Sequence, residues 1–117
     1  MIYDFRITSY FSKQLKPYVK KFRHFKDDIL LVLNEFDKSK HTYLGNGVYK
    51  ARLKSRDLPR GKSKSFRLII FLLEEANLLA PIAIYFKGGK ETTSKEEINY
   101  HLAMTVKELE KDLTNEN

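Results

Sequence analysis

The sequence contains no cysteine. That excludes a disulfide scaffold and any thiolate metal site, but leaves the compartment open. It has no apolar run near the roughly 18 residues of a membrane span. The start, MIYDFRITSY, mixes apolar with polar residues and is not a signal peptide. It has only three histidines, His24, His41 and His101, too far apart for paired metal ligation. Each reads as a surface or loop residue. There is no G-x-S-x-G, and the Gly61-Lys62-Ser63 triplet lacks the earlier glycine of a phosphate-binding loop. No repeat or low-complexity segment is present. What remains is a globular composition: 117 residues, 42% hydrophobic and 32% charged, enough for one core. The expectation is a single domain over 1–117, cytoplasmic, without metal or cofactor.

The charge is uneven. Residues 1–44 hold nine basic and five acidic groups, a net +4. Residues 45–90 hold ten and three, a net +7, and residues 91–117 hold three and seven, a net −4. The positive field therefore sits in the middle third, and a polyanion such as nucleic acid is its simplest partner.

Hydrophobic periodicity predicts the order β-α-α-β-β-β-α. Ile2–Thr8 reads as a short strand. Phe11, Leu15, Tyr18 or Val19, and Phe22 share one face of a first helix capped by Thr8 or Ser9. Pro17 should kink or break it. A second helix starts near Phe25, with Ile29, Leu30, Leu33 and Phe36 as its stripe and Asp27 and Asp28 at its positive end. Asp37–Gly47 is read as a loop. Val48–Lys54 alternates, Tyr49, Ala51 and Leu53 opposing Lys50, Arg52 and Lys54. Phe66–Leu73 is almost wholly apolar, as for a central strand covered on both faces. Leu78–Phe86 follows a turn at 75–77, and Pro81 predicts an interruption or an edge there. Ser94 and Glu97 form a capping box ahead of a last helix with Ile98, Leu102, Val106, Leu109 and Leu113 on one stripe. The fold class is α+β, a mainly antiparallel sheet packed by a helical hairpin and a C-terminal helix.

The chemistry concentrates in 50–67. Lys50, Arg52, Lys54, Arg56, Arg60, Lys62, Lys64 and Arg67 face one acid, Asp57. Like charges side by side on a sheet repel, a cost more readily carried where an anion is to be held. Phosphate is the natural anion, gripped bidentately by arginine and as a point charge by lysine. Tyr49, Phe66, Tyr85 and Phe86 are candidate base platforms, though for each alone a core position is the better reading.

The runs Tyr49-Lys-Ala-Arg-Leu-Lys54, Arg60-Gly-Lys-Ser-Lys-Ser65 and Phe66-Arg-Leu-Ile-Ile70 resemble the signature of the RelE/ParE superfamily of bacterial toxins, in its HigB/RelE-like branch. Leu79–Lys87 and 91–98 resemble that branch's last strand and last helix start. The resemblance implies a RelE-like fold and a type II toxin that cuts messenger RNA on the ribosome, a metal-independent endoribonuclease. It implies a cognate antitoxin as partner, encoded next door and often bearing a helix-turn-helix. Carried over by position, Lys50, Arg52 and Arg67 match the family's cations, with Lys54 on the same face. Lys50 or Lys54 would be the base, and Arg52 and Arg67 would hold the phosphate. Lys87 would be the acid or a phosphate clamp, with Tyr85 a second candidate. Arg56, Arg60, Lys62, Lys64 and Lys90 would bind RNA. Lys64-Ser65 stands where the family has two glycines, and Gly88-Gly89-Lys90 follows Lys87 where some members have an arginine-tyrosine pair. The same fold also accommodates a gyrase inhibitor, and the same basic face suits a non-catalytic RNA-binding domain.

Overall fold

The computed structural model describes residues 3–53, 66–86 and 93–115. Five strands form one sheet: β1 (Asp4–Phe5), β2 (Thr42–Gly45), β3 (Val48–Leu53), β4 (Phe66–Leu73) and β5 (Leu78–Phe86). Their spatial order is β1-β5-β4-β3-β2, antiparallel except for the β1–β5 pair. Helices α1 (Ser9–Lys21) and α2 (Phe25–Asn34) pack on one face and α3 (Lys95–Asn115) on the other. The order of the predicted elements holds, with one strand added. Among the described residues no helix is long and apolar enough to cross a membrane.

The two sheet faces follow from period-two alternation. Tyr49, Ala51 and Leu53 join Leu68, Ile70 and Leu72 beneath Phe11, Phe25, Ile29 and Leu33. Val48, Ile69, Ile82 and Ala83 form a smaller cluster with Ile98 and Leu102 of α3. β4 is thus covered on both faces, as its near-continuous apolar run requires. On α1 it is Tyr18 that packs on the core, while Val19 is 41% exposed.

Three expectations are corrected. The segment Asp37–Gly47 is not all loop. A 3-10 turn (Lys38–Lys40), held by the Asp37 carboxylate accepting from the Ser39 N–H, leads into edge strand β2. The turn-forming residues prove to be 45–47, where Gly45, Asn46 and Gly47 all have positive φ. A Cβ on Gly47 would lie 2.8 Å from the Leu72 carbonyl, so this position needs glycine. Pro17 does not break α1, which runs unbroken from Ser9 to Lys21. It lies on the exposed side, where solvent is at hand for the carbonyl left without a donor. The first strand is only Asp4–Phe5 within the described residues, shorter than the expected span.

The expectation at Pro81 holds: the β4–β5 register is interrupted there, and β1 pairs with Leu78 and Leu79 alone, so Pro81 lies past the end of that pairing. Ile69 pairs with Ala83 but Ile70 with Pro81, so Ile82 is an extra, bulged residue. The bulge turns Ile82 toward the α3 face. Gln14 of α1 mends the adjacent edge. Its amide donates to the Ile82 carbonyl at 2.9 Å and accepts from the Ile84 N–H at 3.3 Å. β1 reaches only Leu78 and Leu79, so a side chain completes what a strand does not.

α3 is latched to the start of α1. Thr8 caps the helix by accepting from the Phe11 N–H at 3.1 Å. The Glu108 carboxylate accepts from the N–H groups of Ser9 (2.6 Å) and Tyr10 (3.1 Å) and from the Ser9 hydroxyl (2.8 Å). The first-turn donors of α1 are thereby satisfied across 99 residues of sequence. Burial acts to raise the Glu108 pKa, but these bonds outweigh it and hold the group below its ordinary 4.5. A depressed carboxylate stabilises the fold above its unfolded pKa and loses that contribution as pH falls through its folded one. Glu108→Gln should therefore cost about 1–2 kcal/mol at pH 7. Urea unfolding should show the gap between the two proteins closing below about pH 4. A pH-independent gap would refute the charge-based latch.

Candidate nucleic-acid interface

The cationic residues meet on the α3 face. In the β3–β4 register Arg52 lies opposite Arg67, and in the β4–β5 register Arg67 lies opposite Tyr85. The three form one row across three strands, at the end of the sheet where β3 leaves and β4 enters. Lys50 lies two residues before Arg52, hence on the same face, opposite Ile69. The alternation that buries Tyr49, Ala51 and Leu53 beneath α1 and α2 is what turns Lys50 and Arg52 the other way.

The row is graded in exposure. Arg52 is exposed and Lys50 half-buried, whereas Arg67 is only 6% exposed. Tyr85 is half-buried and packs against the Val48–Ile69–Ile82–Ala83 cluster, which also receives Ile98 and Leu102 of α3. α3 therefore provides the apolar ground beside the row. Burial pushes the Arg67 guanidinium below the ordinary arginine value, the neighbouring charge of Arg52 pushes it further, and Tyr85 acts in the opposite direction. An arginine shifted this way stays charged at neutral pH. Burial is thus the first cause of the shift, and the like charge of Arg52 across the strand pair is the second.

Of the predicted site residues, Lys50, Arg52, Arg67 and Tyr85 are brought onto one face. Lys54, Arg56, Arg60, Lys62 and Lys64 lie outside the described residues, as do Lys87 and Lys90. Of the predicted aromatic platforms, Tyr49 and Phe66 belong to the core, and Phe86 packs against that core. Only Tyr85 stands on the cationic face.

The histidines do not all fit their expected place. His24 is the residue before α2 and His41 closes the 3-10 turn, stacked on Phe36 at 5.1 Å. Burial lowers the His41 pKa against the pull of Asp37. His101, by contrast, is a part-buried helix residue. Its Nδ1 lies 2.6 Å from the Tyr10 hydroxyl, whose pKa is raised by burial and by Tyr100. Sequence reasoning missed this pair because its members are 91 residues apart and neither stands in a motif. Among the described residues no three His, Asp or Glu side chains come together as a metal-binding group would.

No protein-family model matches the chain, and no curated protein matches it. Among solved structures, the fold is similar to that of a double arginine-to-alanine variant of the E. coli toxin RelE in the free state. The TM-score is 0.47 at 18% identity, over 78% of this chain and 90% of the other.

Proposed function

We propose that the chain is a RelE-like toxin of a type II toxin-antitoxin system, a single domain that cleaves messenger RNA on the ribosome. The observation that carries this is the Arg52–Arg67–Tyr85 row, two cations and a phenol converging from three strands with one guanidinium buried. The signature residues in 49–70 support the same reading.

The reaction suited to such a site needs no metal. A ribose 2′-hydroxyl attacks the adjacent phosphorus, the O2′–P bond forms, and the P–O5′ bond breaks. Three tasks fall to the protein. The 2′-hydroxyl proton passes to the side-chain amine of Lys50 or Lys54. The extra charge on the phosphorane falls to Arg67 and Arg52, arranged before the substrate arrives. The departing 5′-oxygen takes a proton from Lys87 or Tyr85. The products are a 2′,3′-cyclic phosphate and a 5′-hydroxyl. Arg56, Arg60, Lys62, Lys64 and Lys90 extend the contact along the backbone, and a neutralising antitoxin is the expected partner.

Mapping 5′ ends of cellular messenger RNA after tightly controlled expression tests this. Cuts bearing 5′-hydroxyls should appear within reading frames, and should vanish on messages whose start codon is destroyed. Growth arrest with intact messages and DNA breaks would instead mark a gyrase inhibitor. Salt-sensitive RNA binding without cuts would mark a binding domain.

A further inference from the structure

α3 does not fill the far end of the sheet face it covers. Along β4, the alternation that puts Arg67 and Ile69 on this face puts Phe71 and Leu73 there too, and Leu73 pairs with Leu78 of β5. Phe71, Leu73 and Leu78 from the sheet, with Val106 and Leu109 from the C-terminal half of α3, line a cavity of about 320 Å³. Two charged residues complete its rim, Arg6 just past β1 and Glu110 one turn beyond Val106. The Arg6 N–H donates to the Leu79 carbonyl at 2.9 Å, which fixes that backbone beside the cavity. Ligand sites of roughly 300–1,000 Å³ have this make-up, apolar walls with a few polar groups, and this one is at the small end of the range.

We infer that this cavity binds a free α-amino acid with a branched or aromatic side chain. That side chain enters between Phe71 and Leu73 of the sheet and Val106 of α3. The α-carboxylate pairs with the Arg6 guanidinium and the α-ammonium with the Glu110 carboxylate, both as charge-assisted hydrogen bonds. A guanidinium carries five N–H donors, so Arg6 can serve a ligand carboxylate as well as Asp112, whose carboxylate lies 3.6 Å from its Nη1. The opposite charges at the rim select the class of ligand. A fatty acid sets its carboxylate against Glu110, and an aliphatic amine sets its ammonium against Arg6, whereas a zwitterion matches both. RNA fits less well, because its phosphates meet the Glu110 carboxylate and no lysine lines the cavity. Leu73 lies six residues along β4 from Arg67, roughly 20 Å, so the inference stands whether or not the cationic row cuts RNA. A ligand bound here ties α3 to β4 and β5 and stabilises the docked helix.

The test titrates the full chain with L-leucine and L-phenylalanine and follows the methyl resonances of Leu73, Leu78, Val106 and Leu109. These should shift together and saturate with a single Kd, a readout in the parent protein that depends on no variant folding. Isocaproate and isoamylamine keep the leucine side chain and lose one charge each, and each should bind at least about tenfold more weakly than leucine. Glu110→Gln should weaken leucine by about tenfold or more and tighten isocaproate, a crossing that misfolding cannot produce. Val106→Trp, which fills the cavity, should abolish the binding of both. No saturable shift, either analogue binding as tightly as leucine, or a leucine affinity unmoved by Glu110→Gln would overturn the inference. So would oligouridylate shifting the same methyls as strongly as leucine does.

Discussion

Arg67→Ala is expected to slow RNA cleavage by at least about a hundredfold, with binding weakened far less. The reason lies in where the side chain sits. Arg67 is 6% exposed, at the centre of a row in which Arg52 is open to solvent. A guanidinium out of water interacts more strongly with charge that develops on a phosphorane, and it has little hydration to shed when it does so. Arg52 can gather the phosphate, but its charge is diluted by solvent. Arg67→Lys keeps the charge and loses the planar fork, so it should fall between parent and alanine. Single-turnover cleavage on programmed ribosomes separates the effects, with thermal unfolding run beside it to show that the variants fold. An alanine variant that cuts as fast as the parent would remove Arg67 from the site.

How much of this site could be read before any coordinates? The pairing of Lys50 with Arg52 could, because a strand alternates and Tyr49, Ala51 and Leu53 left no doubt about which face was apolar. That Arg67 would stand directly across from Arg52 could not. The register between β3 and β4 depends on long-range packing, and one residue of slip would have sent Arg67 to the helical-hairpin face. Its burial was equally hidden, since an arginine opening an apolar strand looks the same whether α3 covers its surroundings or not. The errors share this origin. Pro81 is not among them, since the interruption it signals by local rules is the bulge at Ile82, beside which Gln14 supplies the missing bonds. Thr42–Gly45 looks like loop by composition, yet β3 offers it a free edge. The helices were more legible, because their caps are local. Ser94 and Glu97 make their reciprocal bonds as the spacing predicts, with the Glu97 N–H donating to the Ser94 hydroxyl at 3.1 Å. The bridge from Glu108 to Ser9 is not local, and no pattern announced it.

Phe66→Ala should destabilise the fold by about 3–5 kcal/mol, a large part of what a domain of this size has to lose. Phe66 is 1% exposed and begins β4. Its ring meets Phe25 at 4.7 Å, Tyr18 at 5.0 Å and Phe22 at 5.6 Å, each edge-on, and Phe86 at 5.1 Å. Removing it opens a cavity walled by rings from α1, α2 and β5 that cannot all move inward together. The same ring bears on function through geometry alone. Because successive side chains alternate, anchoring Phe66 in the hairpin core is what holds Arg67 on the opposite face, in line with Arg52 and Tyr85. Phe66→Leu refills most of the volume without the edge-on contacts and should lose under half as much stability. Urea unfolding gives both values. Activity at a temperature where each variant is still folded then tests the coupling. Leucine should keep most of the cleavage rate because the register survives, and alanine should lose more than its unfolded fraction explains. Equal rates per folded molecule would show that β4 holds its register without this ring.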